Sequence, residues 1–426
     1  MSNVRALKEF STLKTGPFGT QFKASEYVPE GIPVINVKNI GYGDIVKDNL
    51  DYISERTRDR LSEHVLQRGD IVFGRKGSVD RHCLISETEE GWFQGSDCLR
   101  VRITDPAVDP QYVSYYLLSS HVLKSINNAA VGSTMASINM DIIGDIKIVL
   151  PSYETQCKVA AVLKKLDDKR TINTAVNDNL QQMLKSIYDY WFLQFEFPDD
   201  EGKPYRSSGG TMIWNAQLKC EIPSGWNVTT LKGLFNIERG ISYSSKDIEK
   251  PAGVPMINLA SVDTRRNYKP GELKHYSGKV SEKAKLNAYD LLIACTDLTR
   301  NADIVGCPIL VPDDSRTYIF SMDMAKITST TEKLDEMYLY MTLRTDFYHT
   351  YIKRWASGTN VLHLNLDGLD WYPIWLPPIE LQQKFSAIVR DVHRQTCILM
   401  DENERLANLR NWLLPMLMNG QASVEA

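Results

Sequence analysis

The sequence has no Cys-x-x-Cys pair and no His-Glu-x-x-His among its seven cysteines and seven histidines. Thiols scattered this way read as reduced cysteines of a cytoplasmic protein, with neither a disulfide framework nor a metal site expected. No run approaches the ~20 apolar residues of a membrane span, and the start, MSNVRALKEF, lacks the apolar centre of a secretory signal. A positive surplus is missing too: 49 Lys and Arg against 53 Asp and Glu give a net charge of −4. Free-standing nucleic-acid binders usually carry such a surplus, so DNA contact would have to rest on local basic loops or on a basic partner.

Motifs of catalysis are equally scarce. There is no G-x-x-x-x-G-K-[ST] loop, and the one G-x-G, Gly41-Tyr42-Gly43, lacks the third glycine of a dinucleotide fingerprint. Pro377-Pro378 is not preceded by the Asn or Asp that amino-methyltransferases use to receive the target amine. PDDEGK, Pro198 to Lys203, has the residue types of a magnesium-dependent nuclease but crowds them into six consecutive positions. A non-catalytic chain with no cofactor of its own is expected.

What is present is a repeat. PSYETQCKV from Pro151 returns as PPIELQQKF from Pro377, with Pro151, Glu154, Gln156 and Lys158 each matched 226 residues later. The same offset relates Tyr112 to Tyr338, Asn139 to Asn365 and Leu180 to Leu406. Nearer the start of each half it drifts: GIPVINV at Gly31 matches GVPMINL at Gly253, 222 apart, and GDIVF at Gly69 matches YDLLI at Tyr289, 220 apart. A shared scaffold whose surface loops differ in length gives this pattern.

Each half begins with short strand-like runs, about 33–37 and 70–73, then 255–259 and 290–294. A Tyr- and Leu-rich helix is expected over 110–127 and over 334–355, then a glycine loop and a strand ending at Leu150 or Leu376. A long helix closes each half. In the first, Val159, Leu166, Leu180 and Ile187 form one apolar line and Val162, Val176, Met183 and Tyr190 a second. The other long helix offers Phe385, Val392, Leu399, Leu406 and Leu413, with Ile388, Leu409 and Met416. Steps of three and four over about five heptads predict a coiled-coil seam, interrupted at Lys169, Asn173, Gln395 and Glu402. Those polar residues either fix register or mark a solvated, splayed middle. The expected division is a domain at 1–150, a helix at 151–195, a linker or hairpin at 196–221, a second domain at 222–376, a helix at 377–420 and a tail at 421–426.

Taken in order, FGTQFKASEY, GIPVINVKNI, GDIVFGRKGSV, the VGSTMASINMDIIGDIKIVLPSYETQ junction, the EFPDDEGKPYRSSGG segment and IPSGWNVTTL resemble the specificity (S) subunit of type I restriction-modification systems. The resemblance covers nearly the whole chain. It implies an α+β fold: two target recognition domains joined by two long helices in an antiparallel coiled coil, a pseudo-two-fold internal repeat. It also implies a bacterial or archaeal cytoplasmic protein that binds double-stranded DNA with two methyltransferase (M) subunits, which motor-nuclease (R) subunits can join. S-adenosylmethionine, ATP and Mg would then belong to those partners. The second module has ACTDLTRNADIVG where the first has FGRKGSVDRHCLI, a loose match that leaves its loops unassigned.

The candidate DNA-contacting residues follow from side-chain chemistry and position. Arg75, Lys76 and Ser78 sit in a glycine-flanked basic loop ahead of Arg81 and His82; Arg reads guanine edges and Lys binds phosphate, against a plain solvated turn. Thr296, Thr299, Arg300 and Asn301 are the second module's counterparts. Asn36, Lys38 and Asn39 follow the first strand, with Asn258 in the matching place; turn formation is the competing role. Lys14, Thr20, Lys23 and Tyr27 form another polar, basic edge. Ser133 and Thr134, with Thr359 and Asn360 opposite, lie in the glycine loops, where loop closure precedes phosphate contact as a reading. Tyr190, Trp191, Phe192 and Trp412 are candidates for partner contact or for packing within the bundle. Two other functions compete: a self-contained nuclease or methyltransferase with an unrecognised site, and a protein-binding coiled-coil adaptor.

Overall fold

The computed structural model describes residues 3–130, 137–216, 219–248 and 252–424. Contacts gather the chain into two units, Met1–Arg170 with Arg405–Ala426, and Thr171–Glu404. Each unit holds one mixed module of strands and short helices, together with a portion of each long helix.

In the first unit β1 (Asn3–Ala6) runs antiparallel beside β7 (Lys147–Leu150), so the module enters and leaves at one place. Between them, β2 (Ser11–Thr15), β3 (Tyr42–Gly43), β4 (Ile71–Gly74), β5 (His82–Leu84) and β6 (Cys98–Ile103) form a sheet in the order β2-β6-β4-β5-β3. β4 reads IVFG and is buried at all four positions, which explains its lack of polar alternation. A second sheet contains Ile32–Ile35, whose Val34 and Ile35 pair in parallel with Phe93 and Gln94. The helix expected over 110–127 is two, α1 (Pro110–Leu117) and α2 (Ser120–Ala129), because Ser119 takes an extended backbone and starts the second.

The second unit repeats this arrangement. β8 (Asn227–Thr230) pairs with β16 (Pro373–Leu376). β9 (Phe235–Arg239), β10 (Leu291–Ala294), β12 (Pro308–Leu310) and β13 (Met324–Ser329) take the order β9-β13-β10-β12, which matches β2-β6-β4-β5 strand for strand. The parallel pairing recurs as Met256 beside Ile319 and Ile257 beside Phe320. The helical region again divides, into α4 (Glu336–Leu343) and α5 (Asp346–Ile352), and Thr345 caps the second by accepting from the Tyr348 amide. Both modules pass tightly from first strand to first loop. A Cβ on Gly16 would lie 1.9 Å from the Gly95 carbonyl oxygen, and one on Gly240 would lie 2.3 Å from that of Ser321. Only glycine fits such an approach.

The long helices are α3 (Tyr153–Tyr188), which continues as a wider turn over Asp189–Leu193, and α6 (Ile379–Met418). They pair antiparallel. In the second unit Asn173 reaches Glu402 and Tyr188 packs on Phe385, while in the first Asp167 meets Arg410. The line Val159, Leu166, Asn173, Leu180, Ile187 faces inward, as the sequence suggests. The second predicted line is off by one residue: Val176, Met183 and Tyr190 are exposed, and Leu163, Asn177 and Leu184 are buried instead. α6 shows the same shift, with Leu409 exposed and Val389 and Thr396 buried. The true second line carries polar residues at its middle, so a search for apolar steps settles on the neighbouring positions. The polar middle is ordered: the buried Asn173 donates to Glu402 at 2.8 Å and to Asn403 Oδ1 at 3.0 Å. A buried amide whose partners exist in one alignment specifies that register.

Of the two readings of 196–221, linker or hairpin, the segment contains a hairpin, and its aromatic residues are packed. Phe195 and Phe197 are buried, Tyr205 stacks on Phe197 at 4.5 Å, and Met212–Asn215 forms a hairpin with Cys220–Pro223. No helix among the described residues is long and apolar enough to cross a membrane. Phe385 lies at the centre of the second unit's aromatic cluster, 5.0 Å from Phe192 and 5.9 Å from Tyr188. Phe385→Ala is expected to cost about 3–5 kcal/mol. Hydrogen exchange should show faster exchange in β10 and β13 of the second unit with β4 and β6 of the first unchanged; equal loss in both would refute the separate cores.

Candidate nucleic-acid interface

The sheet order brings candidate loops together in each module. In the first, the β4–β5 turn carries Arg75, Lys76 and Ser78, and Gly77 takes the positive φ of 78° that lets it close. Ile138 donates to the Arg75 carbonyl at 3.0 Å and Lys76 bridges to Ser137, so the basic loop lies beside the end of the glycine loop. Ser133 and Thr134 of that loop lie outside the described residues. Lys76 pairs with Asp97 at 3.0 Å, whereas Arg75 makes no ion pair among the described residues. Arg81 is exposed, with its guanidinium 5.3 Å from the Tyr42 ring centre; the Tyr42 hydroxyl in turn donates to Asp80 at 3.3 Å. Tyr42 thus belongs to the same edge. The Gly-Tyr-Gly spacing that excluded a dinucleotide site was the available signal for it.

The second module builds the same edge with different residues. β11 (Thr296–Asp297) pairs with β15 (Leu362–Leu364), which forms a hairpin with β14 (Ala356–Ser357). Leu364 donates to the Cys295 carbonyl at 2.9 Å, the counterpart of the Ile138–Arg75 bond. Thr359 and Asn360 are exposed at the hairpin's tip, and the residues that follow, Leu362 and His363, pair with Asp297 and Thr296. The buried Asp297 carboxylate supports this loop by accepting from the amides of Thr299 at 2.6 Å, Ile304 at 2.8 Å and Val305 at 2.9 Å. Thr299 in turn accepts from the Asp303 amide at 2.8 Å. Arg300 and Asn301 stand exposed on it, next to the exposed Leu298.

A second group lies on β2 and around the strand Ile32–Ile35 of the other sheet. Lys14 pairs with Glu63, Lys38 pairs with Asp51 at 2.8 Å, and Asn36 donates to the same carboxylate at 2.8 Å. The Lys38 contact holds the Asp51 carboxyl below the usual carboxylate range. Tyr27 is half-buried with its hydroxyl 3.4 Å from Asn36, and burial raises its pKa. Thr20 and Lys23 are exposed.

Other candidates lie inside. Asn39 is buried and donates to the carbonyls of Val46 and Asp48, at 3.0 and 3.2 Å. Asn258 is buried as a cap on Ala260, at 2.8 Å. Thr296 is buried against Asp323, at 3.2 Å. His82 is fully buried with Nε2 3.0 Å from the Ser114 hydroxyl. These four belong to the scaffold, because each is buried with its polar atoms turned to the chain's own groups. Of the aromatic end, Phe192 is core, 4.8 Å from Tyr338; Trp191 is half-buried on Phe385, and only Tyr190 is exposed. Trp412 is 58% exposed on α6.

The carboxylates of PDDEGK form a turn. Asp199 accepts from the amides of Glu201 and Lys203, at 2.9 and 2.8 Å, and Glu201 pairs with Lys203 at 2.8 Å. Among the described residues no group of three or more His, Cys, Asp or Glu is placed to hold a metal ion.

Two matched sheets that carry unlike loops at one edge agree with what the sequence is similar to. The chain belongs to the type I restriction modification DNA specificity domain family, whose sequence model matches residues 2–182 and again 223–408. It is 23% identical to the type I restriction enzyme HindI specificity subunit of Haemophilus influenzae, over 91% of this chain and 94% of that protein. It is 21% identical to the MjaIX specificity subunit of Methanocaldococcus jannaschii, over 99% of this chain and 94% of that one. The fold is similar to the crystal structure of a type I restriction-modification S subunit from M. genitalium, with a TM-score of 0.58 at 16% identity, covering 98% of this chain and 96% of the other.

His82 gives the loop's base a pH dependence. Burial lowers its pKa from 6.5 to about 4, so the folded module holds a neutral ring over a range where the unfolded chain binds a proton. The stability it supports is complete above pH 6.5 and falls as pH drops towards 4, by an amount on the order of 3 kcal/mol. In His82→Phe the pH slope of urea denaturation of the first unit between pH 7 and 4 should become shallower, the remainder belonging to groups such as the buried His64; an unchanged slope would assign the acid sensitivity elsewhere.

Proposed function

We propose that this protein is the sequence-specific DNA-recognition subunit of a type I restriction-modification complex. Each module reads one half of a bipartite, asymmetric target, and the paired helices set the spacer and dock two methyltransferase subunits. The observation that carries this reading is the match of two sheets in strand order, with a basic turn at Arg75–Arg81 on one and an Asp297-supported loop at Leu298–Asn301 on the other. Duplicated scaffolds with unlike loops suit a target whose halves differ in sequence. Arg75, Lys76, Ser78 and Arg81 are the proposed contacts of the first module, with Tyr42 added, and Thr299, Arg300, Asn301 and Thr359 those of the second. Lys14, Thr20, Lys23, Asn36 and Lys38 would follow the backbone, since phosphate contacts position and base contacts specify. Tyr190 and Trp412 are the proposed partner contacts. The chain itself performs no chemistry: S-adenosylmethionine belongs to the methyltransferase subunits, and ATP and Mg to the motor-nuclease subunits.

The test is to co-express the chain with a cognate methyltransferase subunit and map methylated adenines across a genome. A split motif modified on both strands supports the reading, and a stable complex that leaves no motif refutes it. Arg75→Ala should weaken or relax one half-site and Arg300→Ala the other, each by about 1–3 kcal/mol of discrimination. Inserting one heptad in register into both helices adds ~10 Å of helix, which should lengthen the accepted spacer by about three base pairs with both half-sites intact. A changed half-site would contradict the spacer role.

A further inference from the structure

The opening residues of the two long helices share Pro, Glu and Gln in the first six positions, PSYETQ and PPIELQ. Proline and the acidic residue suit any helix start. The glutamine does not, and the structure gives it a use. Gln156 is buried; its Oε1 accepts from the Asp109 amide at 2.9 Å, and its Nε2 donates to the carbonyls of Ala107 at 3.2 Å and Pro151 at 2.9 Å. Gln382 repeats the set: Asp335 amide at 2.9 Å, Lys333 carbonyl at 3.0 Å and Pro377 carbonyl at 2.8 Å. Every partner in one set lies 226 residues from its counterpart in the other.

These bonds join three parts of the module at one point. Pro151 and Pro377 follow the strand leading into a long helix. Ala107 and Lys333 lie in the loop ahead of α1 and α4, and Asp109 and Asp335 cap those helices through the Tyr112 and Tyr338 amides. A planar amide with both N–H groups and its oxygen engaged fixes tilt as well as distance. The tyrosines complete the frame, Tyr112 donating to the Val149 carbonyl and Tyr338 to that of Trp375, both at 2.9 Å.

We infer that Gln156 and Gln382 are positioning residues, each locking its recognition module at one angle on its own long helix, and so setting how strictly the spacer is read. They touch no loop of the candidate interface and act through α1 and α4. The two locks are not equally reinforced. Ser386 adds a hydroxyl bond to the Asp335 carboxylate, whereas the aligned position in the first half is Ala160, and the first cap receives only the Cys157 thiol at 3.6 Å. The first module therefore depends more on its glutamine.

The spacing readout rests on the function proposed above, so the experiment has two arms. In the first, a methylated-target library with spacers one base pair longer and shorter is scored for wild type, Gln156→Met and Gln382→Met in complex with the methyltransferase. Gln156→Met is expected to keep both half-sites and lose about tenfold in discrimination against the wrong spacers, with Gln382→Met losing about threefold, as expected for a lost buried hydrogen-bond set. A purely structural role would lower total methylation and leave that ratio unchanged, which would overturn the inference. The second arm needs no DNA. Spin labels introduced through unnatural amino acids at Glu87 and Lys164, both exposed in the first unit, report the angle of module on helix. The distance distribution should broaden in Gln156→Met, and in Gln156→Glu if the first variant does not fold; a width equal to wild type in a folded variant would overturn the inference. A wild type without a split motif but with a broadened variant distribution would sink the proposed function and leave the lock standing.

Discussion

Everything in this molecule depends on apolar helix surface that two different parts of the chain must share. Neither module closes its core with its own strands. The first unit's core includes Val159 and Leu163 from α3 and Leu414 and Leu417 from α6, and the second includes Leu184 and Tyr188 with Phe385 and Val389. Each long helix therefore contributes core residues to both units. Burial of this kind is worth roughly 1.5–3 kcal/mol per large side chain, so eight such residues outweigh any single polar contact. The helices must run antiparallel, because that direction alone gives each module the start of one helix and the end of the other.

Apolar burial is tolerant of sliding, and the polar exceptions remove that freedom. Asn173 finds Glu402 and Asn403 only at one alignment of the helices. Within the sheets, Asp70 holds Arg102 at 2.7 Å and Asp290 holds Lys326 at 2.7 Å, between the same two strands of each module. Such largely covered pairs add little net stability but penalise every arrangement that separates them. Specific placement of the loops at the sheet edge follows from these contacts more than from the size of the core.

Much of this was legible in the sequence. The 226-residue period gave the duplication, its drift gave the loops that vary, and the long helices were plain from their heptads. The second seam line was misread because its middle positions, Arg170 and Asn177, are polar, and the apolar neighbours Val176 and Met183 offered a false step. The break between α1 and α2 was missed because Ser119 looks like an ordinary helix residue until its backbone is seen to be extended. Among candidate contacts, asparagine after a strand does not reveal by itself whether its amide turns outward. Asn36 reaches Asp51 at a half-open edge, whereas Asn39 and Asn258 fold back on the backbone. The Asp297-supported loop was hidden because three amides converge on one carboxylate only in three dimensions.

The side-by-side pairing of each module's first and last strand has a consequence for how such a chain can change. A segment whose ends are already held together behaves thermodynamically as a closed ring. Lengthening a loop inside it adds only about 0.6 kcal/mol of closure entropy per doubling, and the helices outside never register the change. The loops of unequal length lie early in each module, where the repeat offset wanders, and from Ala107 onward the offset is constant. The closed ring also makes each module a cartridge: a lineage could replace the whole ring at its paired seam and acquire a new surface in a single recombination, with the shared frame inherited intact.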